Sequence, residues 1–474
     1  MTALFFYSPF LVYALPRSMS LYPLFFAFPL AWGLCGLLLF RARLVMVPLL
    51  ALGALLLLNL LVTLAAGSGL INLALGAATF SWLFLLALRF PHHQAEARRC
   101  FARAAVLAAL LQLAVGLGQS VAAGFPFMLP YRDYSPDIFQ GTYGQGGPPV
   151  VTMVMLLGMF VAASAWMAGA GRRYGILACV LVAGSVLPGS NATILAGFLA
   201  AVAGTMLAWL SSYRRRGPAS RGHRRRPGLL VPVASIVAIG TVVLFSFTNL
   251  DYLERIGGRL TGSGYEETSP KVTAAYDTLV RLPLDVPFQP AVGVGLGSYS
   301  SWAQLLLSGV YFERFLADRA ARNPLPVSYR PEAWNYVLSN LSPLKDRWFV
   351  ESLSAQPYFA WMSLYAEVGL IGIVLIWVAA RPLLQPLFRR PLERISGNSR
   401  RFGPEAGLRL ALLCYTLFVF ALGFVDNYFE YPWLIMPWLV GLLAVQPDAA
   451  PYPRRSQPSP AMTAMPEPAA GLRG

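Results

Sequence analysis

The sequence predicts an all-α polytopic membrane protein, and three observations predict it. Of its 474 residues, 57% are hydrophobic and only 12% charged, where a soluble domain carries roughly 25% charged residues. Runs such as 44–66 and 229–247 approach or exceed the ~20 apolar residues that cross a bilayer as helix. No alternating pattern of barrel strands is visible, which leaves helices as the spanning structure.

The spans fall in order at about 3–16, 20–40, 44–66, 70–90, 102–125, 148–170, 174–188, 191–210, 228–248, 356–380, 406–425 and 432–446. That gives about 12 transmembrane helices, with a range of 10–12 because the first, seventh and last runs are short for the bilayer. Residues 1–248 hold helices 1–9, residues 249–355 form one large polar block, and residues 356–446 hold helices 10–12. Residues 447–474 are a Pro/Ala-rich disordered tail. The N-terminus lacks a basic region followed by an Ala-x-Ala cleavage site, so its first apolar run reads as a retained span.

Charge sets the topology. The formal net charge is +16, but the arginines cluster beside apolar spans, which points to cytoplasmic loops and away from nucleic acid. With a cytoplasmic N-terminus, the short inside loops and the tail hold 25 of the 37 basic residues. The polar block has ten basic and eleven acidic residues and is placed outside, in the periplasm of a bacterial inner membrane. The four cysteines (Cys35, Cys100, Cys179, Cys414) lie in or beside apolar runs. No metal-ligand spacing appears, so neither a disulfide framework nor a metal site is indicated.

Two outward loops carry the candidates. The smaller, 128–147, contains Arg132 and the run Gly141-Thr142-Tyr143-Gly144. The larger block reads helical. Ser269 and Pro270 form an N-cap and first-turn proline, and Val272, Ala275, Tyr276 and Leu279 follow at helical spacing. Residues 302–322 and 332–341 read as two further amphipathic helices, together a cap or lid.

Within this block the run Gly293-Val294-Gly295-Leu296-Gly297-Ser298-Tyr299 lacks the βαβ unit of a dinucleotide site. It offers backbone freedom and exposed N–H groups before a helix, which suits an anion. The alternative is a tight turn that lets the loop approach another helix. The outward cations Arg132, Arg255, Arg259, Lys271 and Arg281 suit a phosphate collectively, though each singly reads as a solvated charge. Glu367 lies inside a span, where an ionisable group marks a functional site unless it is a structural carboxylate bonded to a neighbouring helix. Asp426 and Glu430 read as a short, wet hairpin with an aromatic belt.

Four segments in chain order resemble the O-antigen ligase and polymerase superfamily of bacterial surface-polysaccharide assembly. Gly141–Gly144 looks like that family's Gly-Thr-aromatic loop, and Pro188-Gly189-Ser190 looks like its Thr-x-Ser-Arg turn. Val292–Tyr299 resembles its glycine signature in the large periplasmic loop. Leu364–Gly372 resembles its Glu-x-Gly-x-x-Gly span. The resemblance implies a membrane glycosyltransferase-like fold and transfer of sugars from an undecaprenyl-diphosphate-linked oligosaccharide, without metal or cofactor. It implies partners among membrane lipids, a chain-length regulator and other polysaccharide assembly proteins.

By the same resemblance, Lys271 stands where the family has a diphosphate-holding loop arginine, and the outward cations Arg132, Arg255 and Arg259 are the further groups expected to meet the diphosphate. Gly293, Gly295, Gly297, Ser298 and Tyr299 would shape the site. Asn191 stands where the family has the arginine of its Ser-Arg turn, and Tyr358 and Phe359 stand where it has a His-Asn pair. The three histidines, His92, His93 and His223, all fall on the cytoplasmic side of this topology. Tyr358 and Glu367 are therefore the expected catalytic residues. The rival readings are a catalytically degenerate member acting as a structural partner, and a transporter. The latter is disfavoured because no internal repeat or midplane site is evident.

Overall fold

A computed structural model describes residues 2–11, 22–124, 138–143, 147–214, 270–307, 327, 330–339, 359–389 and 404–446. The expected span at 228–248, the tail 447–474 and much of the polar block lie outside the described residues.

The chain is mostly helical, in keeping with its apolar composition. In order come α1 (Thr2–Leu11), α2 (Tyr22–Leu39), β1 (Arg43–Leu44), α3 (Met46–Ala65) and α4 (Leu70–Thr79). A 3-10 segment (Ser81–Ala87), β2 (Leu88–Arg89), α5 (Gln94–Ala122), α6 (Pro148–Met167), α7 (Arg172–Val186) and α8 (Asn191–Arg214) follow. The polar block contributes α9 (Pro270–Tyr276), a π-helical turn (Asp277–Arg281), α10 (Leu282–Asp285), α11 (Gln289–Val292), α12 (Trp302–Leu307) and α13 (Pro331–Tyr336). The last elements are α14 (Ala360–Arg389), α15 (Pro404–Leu422) and α16 (Pro432–Ala444).

Among the described residues, five helices (α3, α5, α6, α14 and α15) are long and apolar enough to cross a membrane. The pair formed by α4 and the 3-10 segment passes the same test together but bends by 59°. The straight span expected at 70–90 is therefore broken: Phe80 leaves helical geometry, and the chain turns through Ser81 and Trp82. Apolar α1, and segments 23–39, 192–208 and 434–444, are shorter.

α6 is the centre, with Val150 through Ala162 buried between α5, α7 and α15. Gly158 lets α6 press against Ala109 and Ala105 of α5, the close backbone approach that small residues permit in membrane bundles. At one end, β1 pairs with β2, Arg43 opposite Arg89. At the same end of α5, Arg98 and Arg409 both reach Glu405, at 3.4 and 2.6 Å. These contacts gather three of the arginine-rich segments that the charge pattern assigns to a single side. The glycine-rich run lies toward the opposite end of α3, beside Asn59, Thr63 and the start of α4.

The described part of α9 begins at Pro270, and the expected N-cap Ser269 lies outside the described residues. Its packing differs from expectation. Val272, Tyr276 and Leu279 are exposed, while Ala274, Asp277 and Thr278 are buried. The inner face is selected by hydrogen bonding: the Thr278 hydroxyl donates to the Ala274 carbonyl and meets the Tyr299 hydroxyl at 2.8 Å.

Candidate functional site

Residues 293–305 are buried without interruption, although they belong to the block that composition marks as polar. The run enters a slot between α3, α4 and α14, and polar side chains on those apolar helices receive it. The Leu296 N–H donates to Asn59 Oδ1 (2.9 Å), Asn72 Nδ2 donates to the Gly297 carbonyl (3.1 Å), and the Ala303 N–H donates to Thr79 Oγ1 (3.0 Å). Each of these donors and acceptors would be costly to bury unpaired.

The other wall is α14, which is not one continuous helix. Gly369, at φ 63° and ψ −173°, breaks it just beyond Glu367. Freed carbonyls at the break pair with the glycine run: Val294 N–H to Ala366 O (2.9 Å) and Gly295 N–H to Glu367 O (3.0 Å). Gly293, Gly295 and Gly297 all have positive φ, a conformation costly to residues with a Cβ. A Cβ on Gly297 would overlap the Asn72 carbonyl.

The Glu367 side chain completes the joint. It is fully buried. Oε1 accepts the N–H groups of Tyr299 (3.2 Å), Ser300 (3.0 Å) and Ser301 (2.9 Å). Oε2 accepts the Gly297 N–H (2.9 Å) and the Ser301 hydroxyl. These five donors fill the roughly four lone-pair directions of a carboxylate. The anion seat expected of the glycine run thus exists, and the protein's own Glu367 occupies it. Of the two expected roles for Glu367, the geometry matches the structural carboxylate.

A second carboxyl approaches the same stretch. Glu430 is also fully buried, and its Oε2 accepts the Trp302 N–H at 2.7 Å. Its other oxygen has no hydrogen bond of normal geometry. Burial, and then the negative charge of Glu367, hold its carboxyl well above the ordinary 4.5. The reading of this hairpin as a wet turn is corrected for Glu430: its carboxyl points into the bundle to cap the backbone at Trp302. Asp426, half-buried in the same turn, is shifted upward by burial and partly restored by Lys271.

No family model, curated protein or solved structure matches this chain.

The other expected site residues divide as follows. Lys271 is half-buried in α9, and its ammonium donates to the Val425 carbonyl. Burial lowers its proton affinity while Asp426 raises it. It joins the α15–α16 turn rather than the glycine run. Ser298 is buried behind Gly295, and Tyr299 is buried with its hydroxyl against Thr278, its ionisation pushed far upward by burial. Arg132, Arg255, Arg259 and Tyr358 lie outside the described residues, as does the side chain of Asn191. The Gly141–Tyr143 loop is clamped by α5. Gln112 exchanges hydrogen bonds with the Thr142 backbone and hydroxyl (2.9 and 2.7 Å), and Gln119 donates to the Gly141 carbonyl (2.7 Å).

Asn59, Asn72, Thr79 and Glu430 were not anticipated as parts of the site. The available signal for the first three was a polar side chain inside an apolar run, the same rule that singled out Glu367. Along α14 also runs an apolar groove of about 100 Å³, lined by residues including Trp82, Leu86, Trp361, Ile376, Trp377 and Trp438.

Proposed function

We propose that this chain is an inner-membrane polymerase or ligase-like glycosyltransferase acting on undecaprenyl-diphosphate-linked oligosaccharide at the periplasmic face, in surface or exopolysaccharide assembly. The observation that carries the reading is the union of two distant signatures. Val292–Tyr299 and Leu364–Gly372, the two most specific points of resemblance, are joined by Glu367 and by backbone pairing across Gly293 and Gly369. A rigid joint of this kind suits a site that must hold reacting groups in fixed geometry. The apolar groove beside α14 suits a short stretch of the hydrocarbon chain of a lipid-linked donor, since water there would lack hydrogen-bond partners. Lys271, with Arg132, Arg255 and Arg259, would meet the leaving diphosphate, and Tyr358 the acceptor.

Purified protein in proteoliposomes containing the lipid-linked oligosaccharide tests this directly. Sugar transfer should occur, and Lys271→Ala and Arg132→Ala, made in normal amounts, should reduce it at least tenfold. Unchanged transfer by both variants would remove the proposed diphosphate site.

One observation favours a second reading, a catalytically degenerate structural partner. Both Glu367 oxygens and the Lys271 ammonium are already engaged within the protein. Under that reading the purified chain is inactive, while its partners in the assembly complex co-purify with it and need it for polymer synthesis.

A further inference from the structure

Glu430 and Glu367 approach one short piece of backbone from different helices. The Ser301 N–H donates to Glu367 and the next N–H, that of Trp302, donates to Glu430. Consecutive amides therefore hold two carboxyls side by side, both with no solvent exposure. Their hydrogen bonding is unequal. Glu367 is met by five donors, and a proton placed on it would displace one of them. Glu430 is met by one backbone donor at Oε2, and its buried Oε1 has no hydrogen bond of normal geometry, only the Ser363 hydroxyl nearby.

The surrounding groups do not neutralise two anions. From α14 come Glu367 and the hydroxyl of Ser363, which pairs with Ser300 at 2.7 Å and lies close enough to relieve Glu430 in part. The turn that carries Glu430 adds Asp426, a further negative charge. From α9 comes Lys271, which is bonded to the Val425 carbonyl. Among the described residues, neither buried carboxyl has an ion-pair partner within 4.0 Å, and no three His, Cys, Asp or Glu residues are placed to hold a metal ion. Two like charges in a dry interior cannot both persist without such compensation.

We propose that Glu367 and Glu430 form a proton-binding site, with Glu367 the fixed anion and the bound proton on Glu430. The proton removes the second negative charge, and with it the repulsion across the Ser301–Trp302 amides, and can be shared with the nearby Ser363 hydroxyl. Its loss places a second negative charge against Glu367, so proton occupancy is linked to the seating of the glycine run. This holds whether the chain is catalytic or a structural partner.

Infrared spectroscopy of the full-length protein in nanodiscs tests the site. At neutral pH the wild type should show a buried carboxylic-acid C=O band that shifts in D2O and fades as pH is raised. Glu430→Gln should remove that band, and its melting temperature should change with pH no more than half as much as that of the wild type. A neutral-pH spectrum without the band, or a band that survives Glu430→Gln, would overturn the proposal. Should Glu430→Gln fail to fold, Asp426→Asn and Asp277→Asn decide. The band must persist in both, and its loss in either would reassign the proton and sink the site.

Discussion

Gly293 and Gly369 meet backbone to backbone. A Cβ on Gly369 would stand 2.5 Å from the Gly293 nitrogen, and one on Gly293 would overlap the Glu367 carbonyl. Both residues have positive φ. Two segments separated by 76 positions therefore share a joint that only glycine fits on either side. Replacing either by alanine adds left-handed strain of roughly 1–3 kcal/mol to the cost of overlap with backbone that cannot yield. Gly293→Ala and Gly369→Ala should each lower stability by about 3 kcal/mol or more, seen as a large fall in melting temperature. The double variant should cost less than the sum, because the first substitution already opens the joint.

Glu367→Gln tests the carboxylate itself. The amide keeps one acceptor but turns an NH2 group toward backbone N–H donors, leaving at least two of them unsatisfied. Hydrogen bonds to a charged group contribute roughly 1.5–3 kcal/mol each, so the loss should be roughly 3 kcal/mol or more. Amide hydrogen exchange should report it, with Gly297, Tyr299, Ser300 and Ser301 losing protection first. Unchanged protection at those four amides would contradict the anchoring role.

Much of this joint could be read in the sequence, but not its assembly. The apolar runs announce the helices. The glycine run and Glu367 were both recognisable, one as an anion seat and the other as a buried carboxylate. Nothing in residue spacing says that one fills the other, because partners 60 to 70 positions apart are joined by tertiary packing alone. The inward turn of Glu430 is hidden in the sequence for a related reason. Its neighbours Tyr428, Tyr431 and Trp433 look like an interfacial belt, and only the position of the Trp302 amide turns the carboxyl inward. The bend at Phe80 was invisible because local hydrophobicity is the same in a straight helix and a broken one. The exposed stripe of α9 shows a hydrogen bond between Thr278 and Tyr299 overriding apolar periodicity.

Stability should fall with rising pH. Glu430 binds its proton more tightly in the folded chain than at the ordinary 4.5 of an unfolded one. Above about pH 4.5 the unfolded chain has released that proton while the folded chain keeps it, so stability declines until the folded group also ionises. Asp426 and Asp277 are shifted upward as well, first by burial, and act in the same direction. Lys271, shifted downward, opposes this only on the alkaline side, in the window below its ordinary 10.5. Melting temperatures measured from about pH 5 to about pH 9 should decrease steadily, and a rise over that range would contradict the assignment.

Lys271 and Asp426 should be coupled. Both are half-buried, and water reduces their interaction. A double-mutant cycle with Lys271→Met and Asp426→Asn should give a coupling of about 0.5–1 kcal/mol in melting free energy. A value indistinguishable from zero would mean that Lys271 serves only the Val425 carbonyl.

The Gln112 clamp should act locally. Gln112→Ala removes two hydrogen bonds to Thr142, worth about 1 kcal/mol each. Hydrogen exchange should quicken at 139–143 while α6 keeps its protection. Equal loss across α6 would show that the loop supports the whole bundle.

Under the proposed function, the joint of Gly293–Ser301 with Glu367–Gly369 belongs to a protein that consumes lipid-linked oligosaccharide. The most direct measurement is the lipid-linked sugar content of cells lacking this chain. Single undecaprenyl-diphosphate-linked units should accumulate and the longer or transferred product should disappear, with both reversed by the wild-type chain and not by Gly369→Ala. Normal polymer with no accumulated units would contradict it.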